Sequence, residues 1–359
     1  MAQQTNRVLV LPNVGDARLC SCKSFTFDYY YSVESMRQSA PNTTFITQDY
    51  FLQWNQEMKA IKAKKFTTKI VELGRAVDKE YIGSNQLDLK RYRKKGCLLP
   101  FDHLEYETNA TLDLHITRKT GDQFVIDALQ SVQSDVILMN YTAYEFNYSR
   151  LKYQPASLTY AEYLIKHAKA AANLLYPYIA VHWRMETADP DKLLKCSQNL
   201  VDYIDHIKNK TGITNVYVAT DYPIDGGPIH SGTFHKLTKG HHRAANELKS
   251  HLNFYTLERI HSSLPLLDNT KFLSNIDINH KDSGIPAILD KLILTYSNWF
   301  VSAPPTCCRI SSSYTAQVLQ GRTTIIKQQN KTFEENTVRD NLLNVGDSGN
   351  NQHGHEKHY

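Results

Sequence analysis

Several common explanations fail on what the sequence lacks. It has no uninterrupted apolar run of the roughly 18 residues that a membrane-spanning helix requires, so no membrane span is expected in the chain as given. Its opening, MAQQTNRVLVLPNVG, reads as a polar lead into a short strand and has no signal-peptide pattern. Location is left open by the sequence: the lumen of the endoplasmic reticulum or Golgi is expected if a signal or anchor precedes this start, and the cytoplasm otherwise. Charge of one sign is scarce: 41 Lys and Arg against 36 Asp and Glu leave a net +5, which gives a nucleic-acid partner little support. The six cysteines, Cys20, Cys22, Cys97, Cys196, Cys307 and Cys308, have no CxxC spacing of a zinc site and are too sparse for a disulfide scaffold.

What is present is enough apolar material to fold. With 359 residues, 41% of them apolar, the chain is long enough for about two domains of roughly 150 residues each. In the second half, the short apolar segments YIAVHWR, NVYVATD, NFYTLERI, NWFVSAP and TTIIK alternate with stretches of helical length, the pattern of stacked βαβ units on a parallel sheet. YAEYLIKHAKAAANLLY, with Tyr163, Ile165, Ala168, Ala172 and Leu175 at near-helical spacing, is predicted to feed the first of these strands. The first half is less regular. It has a strand at RVLVLP, a Tyr-rich stretch FTFDYYYSVESM, a helix at DQFVIDALQSV and a strand at DVILMNYT. Polar residues from Asn147 to Pro155 form a linker. The predicted organisation is an α/β lobe over 1–155, a second Rossmann-like lobe over 156–330 and a polar, disordered tail over 331–359. The basic run Lys90 to Gly96 reads as an exposed loop, and His353, His355 and His358 belong to that tail. Asn-x-Ser/Thr sequons stand at Asn42, Asn109, Asn140, Asn147, Asn209 and Asn330, which leans toward a secretory lumen.

The segment YIAVHWRMET is the most informative. It begins as a buried strand and delivers His182, Arg184 and Glu186 at its carboxyl end. Ligands of open parallel sheets bind outside the carboxyl ends of strands, where helix amino termini present unpaired N–H groups. Polar residues collect at the other strand ends too: Thr220 and Asp221 after NVYVAT, and Ser311, Ser312, Ser313 and Thr315 after NWFVSAP. Arg184 can fork two hydrogen bonds onto a phosphate, and a serine-rich helix start adds hydroxyls and backbone amides. Asp221 can accept from a ribose or base, and His182 can donate to an oxygen. The ordinary alternatives are N-cap serines, a turn-forming Asp221, and a structural pairing of Arg184 with Glu186 or Asp221.

VHWRMET, VYVATDYP and SSSYTAQV with a following Arg322, in that order, resemble the GDP-fucose protein O-fucosyltransferase superfamily and its HxR, ATD and SSF motifs. NRVLVLP, FTFDYYYSVESM and ITQDYF are similar to the family's segment after its glycine-rich loop, so the resemblance spans roughly residues 6 to 328. It implies an α/β, GT-B-like fold of two Rossmann-like lobes with an interdomain cleft. It also implies a metal-independent, inverting glycosyltransferase that moves fucose or a related sugar from a GDP-sugar to a protein or glycan hydroxyl, with no cofactor. By the same resemblance His182, Arg184, Asp221, Asp290, Ser312, Ser313, Tyr314 and Thr315 hold the donor, with Arg184 neutralising the departing β-phosphate.

The sequence departs from the family pattern in two places. The family's GG-x-GNQ-like loop is absent, the chain starting just after it, and Ser297-Asn298 stands where many members carry Ala-Asp. Glu186, beside the HxR, is the candidate catalytic base, its alternative role being Arg184's structural partner. Two rival functions remain: a catalytically inactive nucleotide- or glycan-binding module, and a metal-dependent transferase using Asp189 and Asp191, whose Pro190 and following KLLKC otherwise read as a helix start.

Overall fold

Parallel pairing dominates both halves of the chain, as expected of apolar strands separated by helices. The computed structural model describes residues 2–15, 24–61, 67–74, 106–115, 122–141, 158–186, 188–226, 236–263, 284–302 and 313–329. The chain divides into two units, Met1–Glu162 and Tyr163–Tyr359, and both are mixed α/β. The linker assigned to 147–155, the basic run 90–96, Ser311, Ser312 and the tail lie outside the described residues. Among the described residues no helix is long and apolar enough to cross a membrane.

The amino-terminal unit contains strands β1 (Leu9–Leu11), β2 (Val14–Gly15), β3 (Ser24–Phe25), β4 (Phe45–Thr47), β5 (Thr68–Gly74), β6 (Tyr106–His115) and β7 (Val136–Tyr141). Its helices are α1 (Val33–Ser39), α2 (Gln48–Ala60) and α3 (Asp122–Ser131). β1 pairs with β4, and β5 lies between β6 and β7, all parallel; β2 and β3 form an antiparallel pair. The Tyr-rich stretch becomes a short 3-10 turn, Phe27–Tyr29, followed by α1, whose cap Ser32 accepts the Ser35 N–H at 3.1 Å. In α3, Val125 and Leu129 are one turn apart and pack on Val71 of β5 and Leu114 of β6. Each such buried side chain contributes about 1.5–3 kcal/mol.

The carboxyl-terminal unit is built on β8 (Tyr178–Trp183), flanked by β9 (Asn215–Thr220) and β10 (Trp299–Ser302) in the order β10-β8-β9. Its helices are α4 (Glu162–Leu175), α5 (Leu193–Thr211), α6 (Lys239–His251), α7 (Leu257–Ser263), α8 (Ile285–Tyr296) and α9 (Ser313–Gln329). All six residues of β8 are buried, because helices cover both sheet faces. Ile179, Val181, Trp183 and Met185 enter one core with Leu193, Leu200 and Ile204 of α5 and Ala244 and Leu248 of α6. Residues of the opposite parity face α8 and α9: the Tyr178 hydroxyl donates to the Ile293 carbonyl at 2.6 Å, and His182 reaches Thr315. α5 ends at Gly212, whose φ of 73° is left-handed and whose N–H bonds the Lys208 carbonyl at 2.8 Å. Cys196, in the first turn of α5, is disulfide-bonded.

Arg322 of α9 has a structural role that its place in a sequence motif did not reveal. Its guanidinium donates to the Ser297 carbonyl at 2.7 Å and hydroxyl at 2.9 Å, and more distantly to the Leu294, Thr295 and Asn298 carbonyls. These groups close the carboxyl end of α8, where helix carbonyls have no partner of their own.

Three details of the sequence reading are corrected. NFYTLERI is not a full strand: Tyr255 bridges Tyr217, and the chain then turns into α7, with the Arg259 N–H bonded to the Thr256 hydroxyl. Leu257, Glu258 and Arg259 are good helix formers, and a hydroxyl is placed to cap them. TTIIK belongs to α9, where Thr323 and Thr324 turn their hydroxyls back onto the Leu319 and Gln320 carbonyls at 3.0 Å, so helical continuity overrides β-branched preference. In α4 the buried face is Leu164, Ala168, Ala171, Ala172 and Leu175, leaving Tyr163 and Ile165 partly exposed.

Arg322→Leu is expected to cost the carboxyl-terminal unit about 2–3 kcal/mol, because it strips a charged donor from several carbonyls. A fall in urea midpoint at unchanged slope would show it. At Gly240, in the first turn of α6, an added Cβ would lie 2.2 Å from the Pro190 carbonyl oxygen. Gly240→Ala is therefore expected to destabilise by about 1–3 kcal/mol, measured the same way.

Candidate functional site

The carboxyl ends of β8, β9 and β10 bring most of the candidate residues together. The register sets His182 beside Ser302 of β10 and Ala219 of β9, on the face covered by α8 and α9. α9 begins at Ser313, and its first turn meets the strand end: Thr315 Oγ1 is 2.9 Å from His182 Nδ1, and the Tyr314 ring stacks on the imidazole with centroids 4.7 Å apart. Tyr314 is held from below by its hydroxyl, which donates to the Ala287 carbonyl at 2.8 Å, and by the Lys291 ammonium 5.3 Å from the ring centre. Burial, with the neighbouring Arg184 cation, lowers the His182 pKa to about 4, so the imidazole is neutral at physiological pH.

Arg184 and Glu186 form an ion pair, with the Arg184 side chain 10% exposed and that of Glu186 fully enclosed. The Asp221 carboxylate accepts the backbone N–H of Met185 at 2.7 Å and of Glu186 at 2.9 Å, gripping the chain just past the end of β8. Burial pushes the Asp221 carboxyl up to about 6, partly offset by the Met185 N–H and the Arg184 charge. Thr220, the other polar residue at the end of β9, accepts the Tyr222 N–H at 3.2 Å and so shapes the turn.

Asp290 sits on α8 and accepts a short hydrogen bond from the Tyr217 hydroxyl of β9. Burial raises its carboxyl to about 7, and the charge of Glu258 adds to the rise. Asp189 and Asp191 stand in the turn before α5. There Asp189 accepts the Asp191 N–H at 3.1 Å and pairs with Lys192 at 3.5 Å. Among the described residues no cluster of three metal-ligating side chains is found. The structure thus joins His182, Tyr314 and Thr315, and separately Arg184, Glu186 and Asp221, on adjoining residues of one strand end. Asp290 is engaged with Tyr217.

Chemically, a neutral imidazole, a threonine hydroxyl and the backbone N–H groups of a helix start lie two residues from a guanidinium. That set suits an anion. No protein-family model matches the chain, and no curated protein matches it. Solved structures do. The chain is similar to POFUT1 in complex with GDP, at 14% identity over 89% of this chain and 87% of that chain, with a TM-score of 0.45. It is also similar to POFUT1 in complex with GDP-fucose, at 14% identity over 89% of this chain and 86% of that one, with a TM-score of 0.43. At this identity the likeness assigns no family to the chain.

Two contributors escaped the sequence reading. Tyr217 looked like one more residue of a buried strand, although a buried phenol needs an acceptor, and that need is a usable signal. Lys291 follows Asp290 in an apolar helix, and only the tertiary packing brings it to Tyr314 and to Gln317.

The raised Asp290 carboxyl has a consequence for stability. A carboxyl whose folded pKa exceeds its unfolded value contributes stability that is present below the unfolded value and lost as pH rises through the folded one. His182, lowered to about 4, acts in the opposite sense between there and its ordinary value near 6.5, so the two oppose each other in acid. The Asp221 carboxyl, raised to about 6, acts in the same sense as Asp290, and above about pH 7 the Asp290 effect stands largely alone. Stability to urea is expected to fall between pH 6.5 and 8, and Asp290→Asn is expected to flatten most of that fall; an equal fall in the variant would refute the assignment.

Proposed function

We propose that the carboxyl-terminal unit binds the diphosphate of a GDP-sugar and that the chain transfers fucose, or a related sugar, to a protein or glycan hydroxyl with inversion. One observation carries this reading: the first turn of α9 is seated on His182, two residues before Arg184, so hydroxyl, helix N–H groups and guanidinium gather at one strand end. In such a transfer the acceptor oxygen forms a bond to the anomeric carbon as the bond to the β-phosphate oxygen breaks. The negative charge grows on the leaving diphosphate, and prepositioned donors stabilise it more in the transition state than before. Arg184 is assigned that charge, Thr315 and the start of α9 (Ser313, with Ser312 before it) the phosphate oxygens, and His182 the orientation of Thr315. Neither a metal nor a cofactor is assigned a role.

Glu186 is the candidate base with the most direct competing duty. As the buried partner of Arg184 it must exchange that contact for one with the acceptor hydroxyl before it can take a proton. The same ion pair favours a second reading, in which the unit binds a nucleotide or glycan without turning it over. A guanidinium already neutralised by Glu186 has less to offer a leaving group.

Calorimetric titration with GDP-fucose, GDP-mannose and UDP-sugars separates these readings when paired with transfer assays. Arg184→Ala is expected to cut turnover by ~10²–10³. It also leaves Glu186 a buried charge without its partner, so Arg184→Lys serves as the charge-conserving variant, expected to weaken GDP binding about tenfold through loss of the fork. Equal GDP affinity in wild type and both variants would overturn the site. GDP binding with neither transfer nor donor hydrolysis would establish the second reading.

A further inference from the structure

The sequons did not enter the proposed function, and the described ones sit in different surroundings. Asn109 and Asn140 lie within strands β6 and β7. Asn209 is exposed in the last turn of α5, but its sequon threonine, Thr211, donates its hydroxyl to the Ile207 carbonyl at 2.7 Å. Asn42 is different. It stands in the turn between α1 and β4, closed by the Thr43 N–H bonding the Ala40 carbonyl at 3.0 Å, with Pro41 and Asn42 at the two central positions. Proline at the first of these and asparagine at the second are residues that such a turn favours.

Both reactive members of that sequon are open. Asn42 and Thr44 are exposed, and neither side chain has a hydrogen-bond partner among the described residues. The backbone around them is fixed independently: the Leu9 N–H bonds the Thr44 carbonyl at 2.9 Å, and the Ala40 N–H bonds Met36. A bulky group on the Asn42 carboxamide would break no contact and displace no core residue. A second observation bears on the compartment. Cys196 is disulfide-bonded, and disulfides persist where the surroundings are oxidising, as in the secretory lumen where asparagine is glycosylated.

We propose that Asn42 is an N-glycosylation site and that the protein matures in an oxidising, secretory compartment. The donor is a lipid-pyrophosphate-linked oligosaccharide. The Asn42 carboxamide nitrogen forms a bond to the anomeric carbon of the first sugar, the bond from that carbon to the pyrophosphate oxygen breaks, and the lipid pyrophosphate leaves as the amide proton passes to base. Thr44 completes the recognised triplet, and its unengaged hydroxyl distinguishes this sequon from that of Asn209.

The test is a peptide map of the full chain isolated from its own cells, digested with a peptide N-glycosidase in heavy-oxygen water and alkylated before and after reduction. Conversion of Asn42 to heavy-oxygen-labelled aspartate, with Cys196 alkylated only after reduction, is the expected result. An unmodified Asn42 peptide overturns the glycan, and Cys196 alkylated without reduction overturns the compartment. Asn42→Gln and Thr44→Ala change only exposed side chains, and each is expected to remove the same single-glycan mobility step. A step that persists in both variants places the glycan elsewhere and refutes the proposal for Asn42. GDP binding and transfer do not depend on this outcome.

Discussion

The Asp221 carboxylate, bonded to the N–H groups of Met185 and Glu186, is the contact on which the rest of the strand end depends. A chain leaving a fully buried strand has backbone donors with no sheet partner, and burying them unpaired costs about 1–3 kcal/mol each. Asp221 satisfies two of them from the end of the neighbouring strand. In doing so it fixes where Arg184 and Glu186 stand and makes the turn after β8 a consequence of the pairing between β8 and β9. Each carboxylate oxygen accepts one backbone N–H, so Asp221 is part of the framework that holds this strand end.

Strand parity then divides the residues into two jobs. Val181, Trp183 and Met185 point into the core shared with α5 and α6, while Tyr178 and His182 face α8 and α9. Polar side chains on that second face survive burial because each finds a partner: Tyr178 on a helix carbonyl, His182 on Thr315 and Tyr217 on Asp290. Arg322 seals the end of α8 from the far side of the same layer, so the helix that carries Asp290 and Lys291 is held at its carboxyl end by the helix whose first turn touches His182.

Much of this was legible in the residues. Continuous apolar runs announced buried parallel strands, and His182, Arg184 and Asp221 at the ends of two such runs marked the place where chemistry collects in this architecture. Period and composition misled where local preference and tertiary setting disagree. TTIIK has the β-branched content of a strand, yet it lies within a helix whose own carbonyls accept its hydroxyls. NFYTLERI contributes a single bridging residue before Thr256 starts a helix. Asp290 could be matched to an acidic motif position, but its engagement with Tyr217 depends on how a helix crosses a strand.

By itself the sequence determined the α/β class, the parallel strands of the carboxyl-terminal half and the identity of the polar residues at their ends, because period and burial are local properties of the chain. Only the tertiary structure decided which of those residues meet. Arg184 pairs with Glu186, Asp221 holds backbone 36 residues away, and His182 receives the first turn of α9, 133 residues on, since such partners are chosen by strand order and register and by the requirement that every buried donor and charge be satisfied.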